Sequence, residues 1–334
     1  MSAVTEQSMT PLIKVRDAVW NPTPASLRLL ALLGVVANTA IIVTGGAVRL
    51  TKSGLGCPTW PRCNGDSLVP TSHSQHAAIN QTIEFSNRMF FFLVLAVGIA
   101  VFIAALRLRP RRRDVLVLAT VQPFSVIAQA IMGGITVLTD LNPISVSAHF
   151  LLSIALVAAA VALYVRTSEG DQQPRLLVRN ELLWLGSGLL GVIAVLLLVG
   201  TIVTGSGPHA GDDNAPRYHF AIDQVAQLHA DLVWLTVGLT FALLLGARLT
   251  GAPIRIQRWA LALLGIEFAQ GAIGYAQYWS DDPAVLVGMH MFGATLVWIA
   301  ALRTVFAMRD RGPVPAAEPA LAAVGAPAAA TDPA

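Results

Sequence analysis

Charged residues are scarce in this sequence: Asp, Glu, Lys and Arg together make up 12% of its 334 residues, whereas hydrophobic residues make up 55%. Soluble globular domains carry about 25% charged residues, so an ordinary water-soluble domain is excluded. The mean hydropathy of +0.64 agrees with this conclusion. The composition therefore predicts a protein that lies within a lipid bilayer.

The apolar residues form eight long stretches. A helix needs roughly 20 mostly apolar residues to cross the hydrocarbon core of a bilayer. Stretches of this length lie at residues 27–49, 82–106, 115–138, 144–166, 181–204, 223–247, 259–279 and 284–306. The sequence thus predicts an all-α membrane protein with eight transmembrane helices.

The basic residues do not gather into one patch, which argues against a nucleic-acid partner despite the net charge of +3. They are sorted by loop instead. If the N-terminus is cytoplasmic, five of the 22 Lys and Arg residues lie outside and the other 17 lie inside. The outer five are Arg49, Lys52, Arg62, Arg88 and Arg217. The positive-inside rule therefore predicts a multi-pass protein of the cell membrane with both termini in the cytoplasm.

Part of the sequence repeats at an offset of 141 residues. The offset superposes Gln129 on Gln270, Gly133 on Gly274, Asp140 on Asp281 and His149 on His290. The first and fifth helices also correspond, at an offset of 160, and the second and sixth at about 142. Such self-similarity indicates that the two halves are copies. Because each copy has four spans, we expect two tandem four-helix bundles related by a pseudo-two-fold axis along the membrane normal.

The repeat divides the chain into five parts. Residues 1–26 lack the apolar core and cleavage site of a signal peptide, and we expect a cytoplasmic N-terminal segment there. The N-terminal half covers 27–166, a cytoplasmic linker covers 167–180, and the C-terminal half covers 181–306. The last residues, 307–334, are rich in Ala and Pro, which predicts a disordered cytoplasmic tail.

Three histidines, His149, His229 and His290, fall inside predicted membrane helices. Burying such a side chain is costly, so each is a candidate functional residue. Together with Asn87 they lie in one layer, roughly 8–9 Å below the outer ends of their helices. His229 and His290 could hold a haem iron between two imidazoles. The alternative is that each histidine makes a hydrogen bond to a neighbouring helix.

The other histidines, His73, His76, His209 and His219, fall in external loops, and we expect them to be solvated. They carry no predicted role.

The two halves differ in the residues of this layer. Where the second half has His229 and Ala226, the first has Asn87 and an acid, Glu84. A bis-histidine iron suits electron transfer, whereas an iron with fewer ligands beside a carboxylate suits chemistry. The reaction is therefore predicted in the first half, although Glu84 could also be an acid that favours a helix start. Glu267, a second intramembrane acid, fits either a proton path or packing.

Cys57 and Cys63 are the two cysteines, and both lie in the loop after the first helix, on the predicted oxidising side. A disulfide suits that compartment, and two free thiols are the alternative. A metal site would need further ligands that the loop does not offer.

Two motifs carry a family resemblance. The run from Thr44 to Cys63, TGGAVRLTKSGLGCPTWPRC, resembles the helix 1 and first-loop signature of haem A synthase. The segment from Glu84 to Arg88, EFSNR, resembles the E-x-x-H-R element that follows it in that family. The resemblance covers roughly 27–306.

The resemblance implies a bacterial enzyme that oxidises the C8 methyl of haem O to a formyl group, giving haem A for terminal oxidases. It implies a haem b whose iron is bound by His229 and His290, for electron transfer, and a substrate haem with its iron at His149. It also implies a catalytic role for Glu84 and a disulfide between Cys57 and Cys63. The implied partners are haem O, the lipid bilayer, haem O synthase and an electron acceptor such as a quinone.

Asn87 departs from the family pattern, which has a fourth histidine at this position. Asparagine is a poor ligand for iron, so either His149 holds the substrate iron alone or a loop residue such as His76 replaces the missing ligand. We favour the first, because weaker ligation suits a substrate that is exchanged.

Two other functions remain as alternatives. A di-haem electron carrier of the cytochrome b type would need four equivalent ligands, which Asn87 and the contrast between Glu84 and Ala226 disfavour. A transporter built from duplicated bundles often has helices broken at the midplane, and the sequence shows no paired interruption of that kind.

Overall fold

The computed structural model describes residues 21–71 and 77–316. The described helices are α1 Pro24–Leu50, α2 Ala78–Arg107, α3 Arg113–Leu138, α4 Pro143–Arg166, α5 Asn180–Ser206, α6 Ile222–Leu249, α7 Ile254–Trp279 and α8 Ala284–Phe306. Two short strands, β1 Arg175–Leu176 and β2 Arg309–Asp310, accompany them. All eight helices are long and apolar enough to cross a membrane. The predicted all-α fold with eight membrane-spanning segments is thus confirmed.

Helix starts follow local sequence signals. The Thr23 side chain accepts a hydrogen bond from the Ser26 backbone N–H, and the Ser26 side chain accepts one from the Thr23 backbone N–H, so that a capping box begins α1. Asn142 caps α4 by accepting from the Ile144 backbone N–H at 3.0 Å. Pro24 and Pro143 begin these two helices, where a missing N–H costs nothing.

The start of α7 differs from the prediction. Its apolar stretch begins at residue 259, but the helix begins at Ile254. Arg255 lies in the added turn and donates hydrogen bonds to the carbonyls of Ala307 and Arg309. The helix can begin before the apolar stretch because these carbonyls accept hydrogen bonds from the Arg255 guanidinium.

The helices pack in two groups of four. In the first group α1 contacts α2 and α4, and α3 packs between α2 and α4; in the second, α5 contacts α6 and α8, and α7 packs between them. The groups meet where α1 and α4 face α8 and where α4 faces α5. The helices of the two groups span residues 24–166 and 180–306, while the division into two halves with separate tasks and the symmetry axis between them stay predictions.

The largest buried cluster joins the two groups. Val157 of α4, Ile193 of α5 and Leu243 of α6 are fully buried within it. The Trp298 indole N–H donates to the Ile154 carbonyl at 3.0 Å, which links α8 to α4. Large apolar side chains are exposed over much of the outside, as expected for a surface that faces lipid.

The helix ends form two faces. We call the end that carries Cys57 and Cys63 the disulfide end, and the opposite end, which carries β1 and β2, the linker end. At the disulfide end the loops of both groups meet: Leu141 packs with Ala210 and Ala215. The Gly54 N–H also donates to the Gly211 carbonyl at 2.9 Å.

At the linker end the tail is partly ordered. Arg175 and Leu176 pair antiparallel with Asp310 and Arg309, and the preceding Met308 is fully buried. The prediction of a disordered tail over 307–334 is therefore wrong for the first residues of this segment, because the strand pairing and the buried methionine hold them in place. Residues 317–334 and most of the 1–26 segment lie outside the described residues.

Arg166 of α4 lies at the centre of the linker end with its side chain 5% exposed. It pairs with Asp114 of α3, with Glu169 at 3.1 Å and with Asp171 at 3.3 Å. Arg112 pairs with Asp171 as well, at 2.8 Å. The network ties α3 and α4 to the predicted linker 167–180.

Candidate functional site

Two histidines of the second helix group face each other. His229 lies on α6 and His290 on α8, and their ring centres are 6.2 Å apart with 63° between the ring planes. A metal–imidazole bond is about 2 Å long and the ring centre lies ~1 Å behind the bonding nitrogen, so imidazoles on opposite sides of one ion have centres about 6 Å apart. The observed separation therefore fits one metal ion between the rings.

His229 and His290 do not belong to a larger set of protein ligands. Within residues 21–71 and 77–316, no three His, Cys, Asp or Glu side chains are grouped to hold a metal ion. An iron between the two imidazoles would take its other four ligands from a porphyrin, as in a haem. The donor set fits a bis-histidine haem and does not fit a structural zinc site.

Each of the three helix histidines lies against a glycine of the preceding helix. A methyl group placed on Gly133, Gly200 or Gly274 would lie 3.4, 3.2 or 3.5 Å from Cε1 of His149, His229 or His290, respectively. The absence of a side chain at these glycines makes room for the rings. The repeat predicts the equivalence of Gly133 with Gly274, and both perform the same task in the structure.

The Nδ1 atoms of these rings are all buried, and in the described part of the chain none has a hydrogen-bond partner. The carbonyls of Leu196 and Gln270 face the rings of His229 and His290 without closing a hydrogen bond of good geometry. Backbone carbonyls in this position orient metal-binding imidazoles. The arrangement is therefore suited to rings that bind a metal through Nε2.

The first helix group brings one histidine to this layer. Gln129 of α3 donates to the His149 carbonyl at 3.4 Å and to the Ser153 hydroxyl at 2.8 Å. Asn87 is bound to α1 instead, because its Oδ1 accepts from the Thr44 hydroxyl at 2.7 Å. Among the described residues, no second imidazole pairs with His149.

The four histidines predicted in external loops have different outcomes. His73 and His76, which include the alternative iron ligand, lie outside the described residues. The prediction of a solvated side chain is wrong for His209. Its Nε2 lies 2.7 Å from the Asp282 carbonyl, and the residue is half-buried between two loops. His219 is exposed, as predicted.

Glu84 is buried at the disulfide end, and both of its oxygens have partners. Oε2 accepts from the Cys57 backbone N–H at 2.6 Å, and Oε1 accepts from Arg88 Nη2 at 2.6 Å and Nε at 3.1 Å. Glu84 lies beyond the first turn of α2, so a role as a helix-start acid is wrong. Its carboxylate ties α2 to the loop of residues 53–71, which we call the disulfide loop.

The Arg88 side chain holds the same loop by donating hydrogen bonds to backbone carbonyls of the loop. It donates to the carbonyls of Cys57 at 2.7 Å, Thr59 at 3.0 Å and Arg62 at 3.1 Å. Cys57 and Cys63 form the expected disulfide and are fully buried. Sequence reasoning assigned Arg88 no role, although its position four residues after Glu84 is typical of a helical ion pair.

Trp60 connects the disulfide loop to α3. A methyl group on Gly134 would overlap the Trp60 indole ring, so the ring packs directly on the helix backbone. The preceding residue, Gly133, is the glycine that faces His149. The disulfide loop thus bridges α2 and α3 beside the histidine of the first group.

Glu267 of α7 is buried in the second group. Its Oε1 accepts from the Thr240 hydroxyl of α6 at 2.8 Å, whereas Oε2 has no partner among the described residues. The contact joins α6 to α7 on the linker side of the histidine layer, since His229 precedes Thr240 by 11 residues.

The fold makes this chain a multi-pass membrane protein, and the facing imidazoles place it among helical bundles suited to carry haem. The sequence profile of the COX15-CtaA family, described as a cytochrome oxidase assembly protein, matches residues 28–230. The chain belongs to the haem A synthase family. The matched region includes Glu84, His149 and His229, and ends before His290.

Three similar proteins carry the name heme A synthase. The one from Exiguobacterium sp. is 30% identical over 164 residues, which is 48% of this chain and 50% of the relative. The one from Shewanella oneidensis is 26% identical over 184 residues, 51% of this chain and 53% of the relative. The one from Lysinibacillus sphaericus is 31% identical over 148 residues, 44% of this chain and 47% of the relative. The chain therefore spans about half the length of the curated relatives it matches.

Proposed function

We propose that this protein is a haem A synthase, which oxidises the C8 methyl group of haem O to a formyl group and so gives haem A for terminal oxidases. The observation that carries the proposal is the unequal supply of ligands. The second helix group offers two imidazoles with ring centres 6.2 Å apart, whereas the described residues of the first offer His149 alone. A saturated iron suits electron transfer, and an unsaturated one suits a substrate.

In the second group, His229 and His290 would hold the iron of a resident haem b. Such a haem supplies one-electron redox chemistry when bound. The chain contributes the room for the rings at Gly200 and Gly274. It also supplies the backbone carbonyls of Leu196 and Gln270 beside the two rings, which would help to orient the imidazoles for the metal.

In the first group, His149 would bind haem O. One imidazole holds an iron less firmly than two, which suits a substrate that enters and leaves. With water as the oxygen source, oxidation of a methyl to a formyl group adds one oxygen atom and releases four electrons and four protons. An acceptor such as a quinone takes the electrons in this proposal, and Glu84 is the buried carboxylate available to carry protons.

The disulfide loop would close the substrate site. Glu84 and Arg88 hold the loop on α2, and Trp60 holds it on α3 next to the glycine that faces His149. A closed site keeps competing reactions away from a reactive substrate. Glu84 therefore has two roles in the proposal, one in proton transfer and one in positioning the loop.

We place both termini in the cytoplasm of a bacterial cell, so that the disulfide end faces the oxidising side of the cell membrane. Haem O synthase is the partner expected to supply the substrate from the same bilayer.

The test is to express the full chain in cells that make haem O and to analyse extracted haems by chromatography. The proposal expects haem A with the wild-type chain and none with the empty vector. A purified protein with two permanently bound haems and no product would instead support a di-haem electron carrier.

A further inference from the structure

Five basic side chains belong to the disulfide end, and three of them pair with acids. The pairs are Lys52 with Asp213 at 2.5 Å, Arg62 with Asp66 at 2.5 Å and Arg88 with Glu84 at 2.6 Å. The remaining two are Arg49 and Arg217, and neither forms an ion pair with a carboxylate of the described residues. Both side chains are only partly exposed.

Arg49 and Arg217 lie together at the end of α5. Arg49 donates from Nη2 to the Thr204 carbonyl at 2.9 Å and from Nε to the His209 carbonyl. Arg217 donates from Nη1 to the Gly207 carbonyl. The positive charge of Arg217 acts on the Arg49 guanidinium and repels it. Two like charges are thus held at the same helix end in a partly buried place.

Capping of α5 does not account for this arrangement. A cation near a helix C-terminus is favourable, but one arginine meets that need, and a second adds repulsion. Each guanidinium carries five N–H donors, and three hydrogen bonds from Arg49 and Arg217 go to backbone carbonyls, one in the last turn of α5 and two in the residues that follow it. Most of the donors remain for an anion.

The pair lies close to the histidine layer of the second group. Leu50, which follows Arg49, reaches Gly288 on α8: a methyl on Gly288 would lie 3.2 Å from the Leu50 side chain. Gly288 precedes His290 by two residues, a rise of about 3 Å along the helix. Met291, next to His290, packs against Gly46 of α1. The α1 contact therefore places Arg49 on the disulfide side of His290.

We infer that Arg49 and Arg217 bind the two propionate carboxylates of the tetrapyrrole whose iron is held by His229 and His290. Two cations at one helix end, for which the described residues supply no acid partner, complement a ligand with two carboxylates, and guanidinium groups bind carboxylates in a planar, two-bond geometry. The inference rests on the proposed function, since it requires a haem in the second group. It assigns the arginines to binding and to no chemical step.

The test compares two probes on the full chain purified from haem-deficient cells: iron protoporphyrin IX and its dimethyl ester, which lacks the carboxylate charges. Binding is followed by the Soret band. Arg49→Gln should weaken binding of the free acid on the order of 10- to 100-fold, the usual effect of losing a charged hydrogen bond. The ester should bind the wild type more weakly and be unaffected by Arg49→Gln. Lys52→Gln, which removes a neighbouring cation that has its own acid, should change neither probe.

Arg217→Gln gives a second, independent reading, since Arg217 makes one backbone contact and its loss disturbs α5 least. The reduction potential of the bound haem should fall in both variants, because a positive charge near the ring is removed.

Equal losses for the acid and the ester would show that the arginine supports the fold, and unchanged binding of the acid would show no contact; either result overturns the inference. A loss confined to haem bound at His149 would overturn the assignment to the second group. These outcomes leave the proposed function intact, whereas a wild-type chain that binds neither probe would contradict the proposed function itself.

Discussion

Replacing Glu84 with alanine should release the disulfide loop from α2. The Glu84 side chain is 6% exposed and that of Arg88 is 19% exposed, so the substitution leaves a largely buried guanidinium without its counter-charge and the Cys57 N–H without its acceptor. Breaking a buried ion pair costs about 3–5 kcal/mol, and the partial exposure of Arg88 favours the lower end of that range. A loss of about 3 kcal/mol raises the open fraction of the loop roughly 100-fold.

The open fraction can be read from the disulfide. Cys57 and Cys63 are both 0% exposed, so a water-soluble phosphine reaches them only when the loop opens. In detergent solution the rate of reduction in Glu84→Ala should exceed that of the wild type by about 100-fold, in proportion to the open population. Glu181→Ala is the matched control, because it removes an exposed carboxylate that pairs with Arg179.

A reduction rate within twofold of the wild type would refute the positioning role of Glu84. Arg88→Gln then separates positioning from chemistry, because it opens the loop and keeps the acid. If haem A formation falls equally in Glu84→Ala and Arg88→Gln, loop position explains the loss. If only the Glu84 variant loses activity, the carboxylate acts on the substrate.

Three further predictions follow from the two helix groups. His290→Ala should remove the resident haem and its Soret band from the purified protein, whereas His149→Ala should keep it, because each histidine serves a different group. Asn87→His alone should leave bound haem O with a single imidazole, since the repeat places the methyl of Ala40 where Gly200 makes room for His229; combined with Ala40→Gly it should give a low-spin, bis-imidazole spectrum. Arg166→Met should cost about 2–3 kcal/mol, because its partners are partly exposed, and lower the thermal unfolding midpoint by roughly 3–4 °C.

The controls differ for each case. Loss of the resident haem in His149→Ala would contradict the assignment of the two histidine sites. A low-spin spectrum in Asn87→His without the second substitution would show that Ala40 does not exclude the ring. For the stability prediction, Arg179→Met removes an exposed arginine, 71% accessible in its pair with Glu181, and should leave the midpoint unchanged; an equal shift in both variants would contradict the buried network.

Hydropathy predicts the eight helices because a lipid environment demands a minimum length of apolar sequence in every span. It fails at the start of α7, where Arg255 extends the helix through contacts with the residues that follow α8. Those contacts join residues more than 50 positions apart, and a window of neighbouring residues carries no information about them. The same reason explains β2, whose partner strand lies in the linker.

The histidine pair could be predicted because the internal repeat reports depth: equal spacing along two copies gives one layer. The repeat also identified Asn87 as the one position of this layer that lacks a histidine. What it could not report is the direction of a side chain, so the hydrogen bond from Thr44 to Asn87 is known only from the structure. For Glu84 the sequence indicated a functional acid but gave no sign that the Cys57 backbone occupies one of its oxygens.

Loop docking was the least predictable part of the site. Trp60 belongs to a recognised motif, yet its contact with Gly134 joins a loop to a helix across more than 70 residues. Neither periodicity nor composition encodes such a contact. The glycine itself was the available signal, since a helix that exposes a glycine gives an aromatic ring direct access to its backbone.

The central claim is that the two helix groups hold their haems differently, with two imidazoles in the second and one in the first. Electron paramagnetic resonance of the oxidised protein loaded with haem O tests it most directly, because the spin state reports the number of strong axial ligands. The account predicts a low-spin signal that disappears in His290→Ala and a separate high-spin signal that disappears in His149→Ala. A low-spin, bis-imidazole signal for haem O at His149 would contradict it.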